Sequence, residues 1–504
     1  MSRNNPRGET VDNGGGGGHA LLGLLLGLAA TSATLLVWQT FTPEPVHLLG
    51  LTADRLSAAL TLLVAGVGAV TFRFSLRYLD GEPRRRRFLR LLVFTVGSAY
   101  LFMLSTNLLL LFVAWSLTSL GLHELLTFYP DRPEAWPPAR KKFLISRLGD
   151  LALIAAIGVI WRDFGTLDLN AFLAAAATDP GGGSGTAVGL LVAVAALTKS
   201  AQFPFHSWLP ETMESPTPVS ALMHAGIINA GGALVLRFAP LVARVPEALV
   251  LLAAVGTLTF VLGTLAMWAQ VKVKRTLAWS TVSQMGFMMV QCGVAAFPAA
   301  LLHILGHGCY KAWSFLRSGG LPAAAPAAPT PPVRALTLAA VGTGLAVPAL
   351  ALASRATSFA PLDSPGELAL AAVGALSVGQ VWVALLGTRP ATLARAVGAL
   401  AATAAVPALA FGLYRGTGAF LAPVLGELPR PGGPLAWAAA VIPVAALAAL
   451  AVLHAVLPAL GRSAAGRVFY VHALHGFYLG AAADRVVDGI WRRVVKGTKE
   501  VEHG

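Results

Sequence analysis

Residues 196–226 read ALTKSAQFPFHSWLPETMESPTPVSALMHAG, an apolar helix that runs through a lysine into four prolines and out into a second helix carrying a histidine. Pro204, Pro210, Pro216 and Pro218 each remove a backbone donor, so no continuous helix crosses this stretch. Long apolar runs flank it on both sides, which puts the break near a membrane. Broken backbone at that depth is tolerated only against protein or a watery cavity. The stretch therefore predicts an all-α polytopic membrane protein with a broken helix at a candidate ion site.

Composition agrees. Of 504 residues, 56% are hydrophobic and only 12% charged, and the mean hydropathy is +0.69. A soluble domain carries about 25% charged residues. A spanning helix needs about 20 apolar residues, and the chain offers about fourteen such stretches between residues 20 and 458. The net charge of +14 would suggest nucleic acid in a soluble protein, but here the basic residues sit at the ends of apolar stretches. Arg84 to Arg87, Arg140 to Lys142, Lys272 to Arg275, Arg317 with Arg334, Arg389 with Arg395, and Arg462 onward all fall on one side if the N-terminus is cytoplasmic. They read as topology signals with both termini inside, in a bacterial inner membrane. Cys292 and Cys309 have no CxxC spacing and indicate neither a disulfide framework nor a thiolate metal site.

The chain divides by composition into a disordered tail (1–19), a transmembrane core with the ion path (20–320), a Pro/Ala-rich linker (321–334), C-terminal transmembrane helices (335–460) and an amphipathic end (461–504). In that last segment Phe469, Tyr470, Phe477 and Trp491 alternate with Arg485, Arg492 and Arg493, as in a helix lying at an interface or docking on a partner.

Ionisable side chains inside spans are costly, so each is a functional hypothesis. Lys199 stands just before the helix break, at a depth where an ammonium can exchange its proton; snorkelling to the interface is the competing reading. His224 follows the break by two turns, as a titrating group or a satisfied polar packer. His303, His307 and Lys311 are spaced i, i+4, i+8 and share one helix face, the layout of a proton wire. Zinc at that HxxxH is disfavoured, because Ile304 stands where a zincin needs Glu and no carboxylate lies in the span. Arg147 and Asp150 pair at i, i+3, for function or for structure alike. His123 and Glu124 lie late in another span, where Glu124 either joins the path or meets the interface. No P-loop, GxGxxG, GxSxG or HExxH is present, so nothing supports conventional enzymology.

The quoted run, with KRTLAWSTVSQMG at 274–286 and HILGHGCYKAWSFLRSG at 303–319, resembles the proton-conducting membrane subunits of respiratory complex I and of multisubunit cation/proton antiporters, especially the subunit 5 type. The resemblance covers residues 50–320 and implies an antiporter-like core whose proton path uses Lys199, His224, His303, His307 and Lys311, with the RxGD motif at Arg147 and Asp150. The chain departs from that family at Ser116, where complex I subunits of this type carry Glu after the Trp, and in its lysine-free stretch from 335 to 460. It is also shorter than the antiporter subunits.

With TSLGLHELLTFY (118–129) and RKKFLISRLGD (140–150), those departures are similar to the DabB family of inorganic carbon transporter subunits. That resemblance implies an ion-conducting, energy-coupling subunit that uses a proton or sodium gradient and carries no cofactor of its own. The implied partner is a DabA-like, zinc-containing, carbonic-anhydrase-like protein that hydrates CO2. The alternative is a subunit of a multisubunit antiporter or NADH dehydrogenase-type complex.

Overall fold

The computed structural model describes residues 15–42, 44–178, 183–320, 330–387 and 392–501, nearly all of them helical. Helix α1 (Gly15–Phe41) leads into a small antiparallel hairpin, β1 (Val46–Leu48) with β2 (Leu51–Ala53), in which Val46 faces Ala53. Then come α2 (Arg55–Tyr78), α3 (Arg85–Leu104), α4 (Leu108–Leu126), α5 (Trp136–Phe164), α6 (Leu169–Thr178) and α7 (Gly183–Lys199). The middle holds α8 (Thr217–Ala225), α9 (Ala230–Arg237), α10 (Ala239–Val242), α11 (Pro246–Ala269), α12 (Val273–Gly293) and α13 (Phe297–Arg317). The C-terminal part is α14 (Pro332–Thr357), α15 (Pro365–Leu386), α16 (Leu393–Leu425), α17 (Gly433–Leu460), α18 (Ala464–Leu474) and α19 (Leu479–Val501). Most of the expected linker, 321–329, and the expected tail up to residue 14 lie outside the described residues.

Eleven helical stretches among the described residues are long and apolar enough to cross a membrane, with α8 and α9 counted together. The protein is thus multi-pass, but length and apolarity alone do not reach the fourteen spans expected. The other three expected spans fall on α7, which has only 17 residues, and on α12 and α13. Those last two have the length but carry Lys274 and Arg275, and His303, His307 and Lys311.

Large apolar side chains such as Trp38, Leu151, Trp161, Val347 and Leu352 point outward, as a lipid-facing surface requires. Inside, hydroxyls bond to the carbonyl a turn earlier, as Thr95 does to Leu91, Thr118 to Ala114 and Thr257 to Ala253. That satisfies a polar group without water. One core joins α1 to α13 with the end of α16, and a second, built on Ala346, Phe359, Val378 and Phe411, joins α14 to α16.

The proline-rich stretch ends one helix and starts another. After α7 the chain turns irregular, passes a 3-10 turn at Leu209–Glu214, and enters α8 with Pro216 as cap and Pro218 in the first turn. Pro fits there because those N–H groups have no intrahelical partner anyway. The break inside the following span comes later, at the 3-10 turn Ile227–Asn229 after Gly226. Side chains meet the carbonyls there: Asn229 donates to Ala225 O at 2.7 Å and Ser200 to Ile228 O at 2.8 Å.

The structure adds detail to two of the expectations. Within the basic run Arg140 to Lys142, read as a topology signal, Lys141 and Lys142 are both buried. The C-terminal amphipathic segment also finds a partner within the chain: α19 sits on α5, with Asp484 paired to Lys141 at 2.7 Å and the Trp491 ring 4.9 Å from Arg140.

The hairpin end is pinned by a buried ion pair. Asp54 caps α2 by accepting from Ser57 N at 2.7 Å, and its other oxygen pairs with Arg237 of α9. Removing one member of such a pair leaves a lone buried charge. Asp54→Ala is therefore expected to destabilise the protein by about 3–5 kcal/mol, read as a lowered unfolding midpoint of the detergent-purified chain.

Candidate ion path

Lys199 ends α7, and its Nζ donates to the Ser119 hydroxyl at 2.6 Å and to the Trp115 carbonyl oxygen at 3.0 Å, both on α4. It lies 4.1 Å from the centre of the Trp115 ring, within cation–π range. The Trp115 indole N–H donates to Asp150 Oδ1 at 2.9 Å, and Asp150 Oδ2 pairs with Arg147 at 2.6 Å. Gly149 makes this assembly possible, because a Cβ there would stand 2.3 Å from Thr198 Oγ1 and push α5 off α7.

A second lysine reaches the same residue. Lys142 of α5 is buried and donates to the Ser119 carbonyl oxygen. Ser119 thus holds two lysines, one on its hydroxyl and one on its carbonyl. Beside them lies a cavity of about 10 Å³, lined by Ser119, Lys142, Lys199, Trp208, Met223 and Ile227. That is room for about one water. Met223 and Ile227 belong to the broken segment, so the cavity joins the lysines to the break.

Lys311 repeats the pattern on the other side of the break. It is buried on α13, and its Nζ donates to the Leu277 carbonyl oxygen at 2.9 Å and to the Ser280 hydroxyl, both on α12. Each lysine thus rests on one carbonyl and one hydroxyl. A hydroxyl can accept from an ammonium or rotate and donate to a neutral amine, so these partners suit both protonation states.

The histidines gather on the Lys311 side. His224 is fully buried and stacks on Phe315 with ring centres 4.4 Å apart, and neither ring nitrogen has a hydrogen-bond partner among the described residues. The same holds for both nitrogens of His307, which lies within electrostatic reach of His224, His303 and Lys311. The His303 and His307 rings are 5.8 Å apart, centre to centre. Gly308 lets α13 approach here, since a Cβ would stand 2.7 Å from the Ala225 carbonyl oxygen. Buried histidine nitrogens without protein partners are groups that a passing water or proton can meet.

The structure does not bring every candidate together. Glu124 pairs with Arg87 of α3 at 2.8 Å on a partly exposed rim. His123 packs on Phe143, ring centres 5.6 Å apart, and lies within electrostatic reach of Lys142. Ser116, where the resembling subunits carry a carboxylate, has a buried hydroxyl with no hydrogen-bond partner among the described residues. Lys142 was missed as a site residue because a basic run at the end of an apolar stretch is what a topology signal looks like.

Two family matches follow this geometry. Residues 105–337 match the transmembrane family described as NADH:quinone oxidoreductase/Mrp antiporter, and residues 46–89 match the N-terminus of NADH-ubiquinone oxidoreductase (complex I) chain 5. Over these matched residues the chain is similar to the membrane subunits of complex I and of Mrp antiporters.

Among its curated relatives is the probable inorganic carbon transporter subunit DabB2 of Halothiobacillus neapolitanus, 43% identical over 60% of this chain and 56% of that one. The probable DabB of Hydrogenovibrio crunogenus is 39% identical over 60% of this chain and 58% of its own length. NADH-quinone oxidoreductase subunit L of Mycobacterium tuberculosis is 37% identical over 54% and 43%. The chain thus matches between 43% and 58% of the length of these relatives. Among solved structures, the Mrp complex from Dietzia sp. matches with a TM-score of 0.53 and 25% identity, covering 97% of this chain and 60% of that one. Respiratory complex I from Thermus thermophilus matches at 0.50 and 26%, covering 88% and 93%.

Trp115 links Lys199 to Asp150, and that link can be cut alone. Trp115→Phe keeps a ring under Lys199 but leaves Asp150 Oδ1 without its donor. The expected cost is about 1–3 kcal/mol, read as a lower thermal midpoint in detergent.

Proposed function

We propose that this chain is the ion-conducting, energy-coupling membrane subunit of an inorganic carbon pump. The observation that carries the ion-conducting part is the pair of buried lysines, Lys199 and Lys311, each on a hydroxyl and a carbonyl, with His224, His307 and His303 gathered on the Lys311 side. The relatives named as inorganic carbon transporter subunits support the carbon part. On this reading the protein sits in a bacterial inner membrane with both termini cytoplasmic. Its partner is a DabA-like, zinc-containing, carbonic-anhydrase-like protein, in which CO2 and water become bicarbonate and a proton.

The chain's own residues do the coupling. Lys142 and Lys199 share Ser119, and two ammonium groups so placed in low dielectric repel strongly. A proton arriving at one therefore drives the other toward its neutral form and moves charge along the node. The ring and carbonyl of Trp115, both on Lys199, carry that change to Asp150 and Arg147. A changed charge at a bistable element biases its conformation, and the partner senses the shift. The broken segment beside the cavity is the element best placed to respond. Protons and sodium ions both remain substrates for this path.

A second reading is a subunit of a multisubunit cation/proton antiporter or a respiratory NADH dehydrogenase-type complex, favoured by the match to Mycobacterium tuberculosis subunit L and to the Mrp complex. Co-purification separates the two. The carbon-pump reading expects one large partner that contains zinc by elemental analysis, and an assembly of many subunits without zinc would displace it. Within the carbon-pump reading, Lys199→Ala is expected to abolish CO2-dependent growth and bicarbonate accumulation. Uptake that persists in this variant would remove Lys199 from the mechanism.

A further inference from the structure

At the N-terminal end of α5 the structure holds a second cluster of charge. Lys141 is fully buried, yet it pairs with two carboxylates: Glu211, in the 3-10 turn before the broken segment, and Asp484 of α19. Both carboxylates keep contact with solvent, with side chains 34% and 40% exposed. Lys141 is thus covered by acids that face outward, and it immediately precedes Lys142, which rests on Ser119.

The ground between this cluster and the lysine node is polar and unsatisfied. His206 Nδ1, Ser207 Oγ and Trp208 Nε1 are buried with no hydrogen-bond partner among the described residues, and each residue is less than 5% exposed. Three consecutive side chains in that condition are costly in a dry core and ordinary along a hydrated route. The route is continuous at both ends. Trp208 lines the cavity that also contacts Lys142 and Lys199. His206 lies within electrostatic reach of Lys141. Helix α19 lies directly over the outer end: a Cβ on Gly480 would stand 2.9 Å from Glu211 Oε1 and 3.7 Å from Ser207 Cβ.

We infer that Glu211 and Asp484, gathered about Lys141, form the entrance through which a proton reaches the Lys142–Ser119–Lys199 node, with helix α19 supplying half of it. The inference rests on the ion-path reading above. It also explains how a chain with serine at position 116 can admit a cation. Carboxylates at the mouth of a low-dielectric cleft concentrate cations there. Past them, His206, Ser207 and Trp208 give water a run of polar partners down to the cavity. Among the described residues Arg275, which acts on Glu211, and Arg140, held against Trp491, also bring charge to this mouth.

The test uses the full chain with its co-purifying membrane partners in liposomes, with an imposed proton gradient and an internal pH dye. Ser207→Cys is made together with Cys309→Ser, because Cys309 is exposed while Cys292 is buried. A small, water-soluble cationic thiol reagent is then added. A hydrated entrance predicts that the thiol introduced at position 207 is labelled and that labelling slows proton flux. Asp484→Asn is expected to lower flux by about tenfold, the low end of what charge focusing gives, while Asp484→Glu retains it. Lys199→Ala reports on the path itself. If Lys199→Ala is inactive while the introduced thiol stays unlabelled and Asp484→Asn conducts like the parent, the entrance lies elsewhere and the path stands. If Lys199→Ala conducts like the parent, the ion-path reading fails and this entrance fails with it.

Discussion

A cation taken out of water must be met by fixed partners, and the kind of partner decides whether it can ever leave. This protein buries cations in two ways. Arg237 is held by the carboxylate of Asp54 and the carbonyl of Met103, and a guanidinium cannot be deprotonated in a protein, so that pair is permanent scaffolding. Lys199 and Lys311 instead rest on a serine hydroxyl and a main-chain carbonyl, and among the described residues no carboxylate is bonded to either. Neutral partners solvate an ammonium enough to admit it and too weakly to fix it. The difference between scaffolding and ion path is therefore written in the partners, not in the burial.

That solution depends on backbone arranged for it. A carbonyl inside a regular helix keeps a second lone pair after its helical bond, and each lysine reaches one from a neighbouring helix at close range. Glycine tightens the packing around the nodes, at Gly149 between α5 and α7 and at Gly308 between α13 and α8. The break at Gly226 then frees backbone between the two nodes, and Asn229 and Ser200 keep the freed carbonyls satisfied. The break thus adds polar character to the middle of the membrane without leaving a buried group stranded.

Much of this was legible in the sequence, because much of it is local. The proline run marked a break ahead of α8, and the i, i+4, i+8 spacing placed His303, His307 and Lys311 on one face. Membrane spans were easy to see wherever they were purely apolar. They were hardest to count at α12 and α13, because the residues that lower their apolarity include those of the candidate path. Lys141 and Lys142 escaped for a different reason. Their partners on α4, α19 and the 209–214 turn are distant in sequence, and a basic run at a helix end looks the same whether it meets water or a buried serine. Glu124 was undecided until Arg87, on another helix, took it to the rim.

The energetics also confine where ion chemistry can take place. From 335 to 460 the chain has no lysine, and the described core of α14 to α16 is built from alanine, valine, leucine and phenylalanine. Nothing of the hydroxyl-and-carbonyl pattern around Lys199 and Lys311 recurs there among the described residues. These helices still touch the proposed ion path, since α16 packs on α13 and α2, and Arg55 of α2 donates to the Phe420 carbonyl oxygen at 3.2 Å. An element that touches the path without burying charge can respond to it only by moving. A proton held at Lys311 acts first on α12 and α13, and the packing of α13 on α16 passes any resulting shift to helices whose described buried positions hold no charged side chain to oppose it. On the proposed reading charge and displacement are handled by different helices, and the contact between α13 and α16 is where one becomes the other.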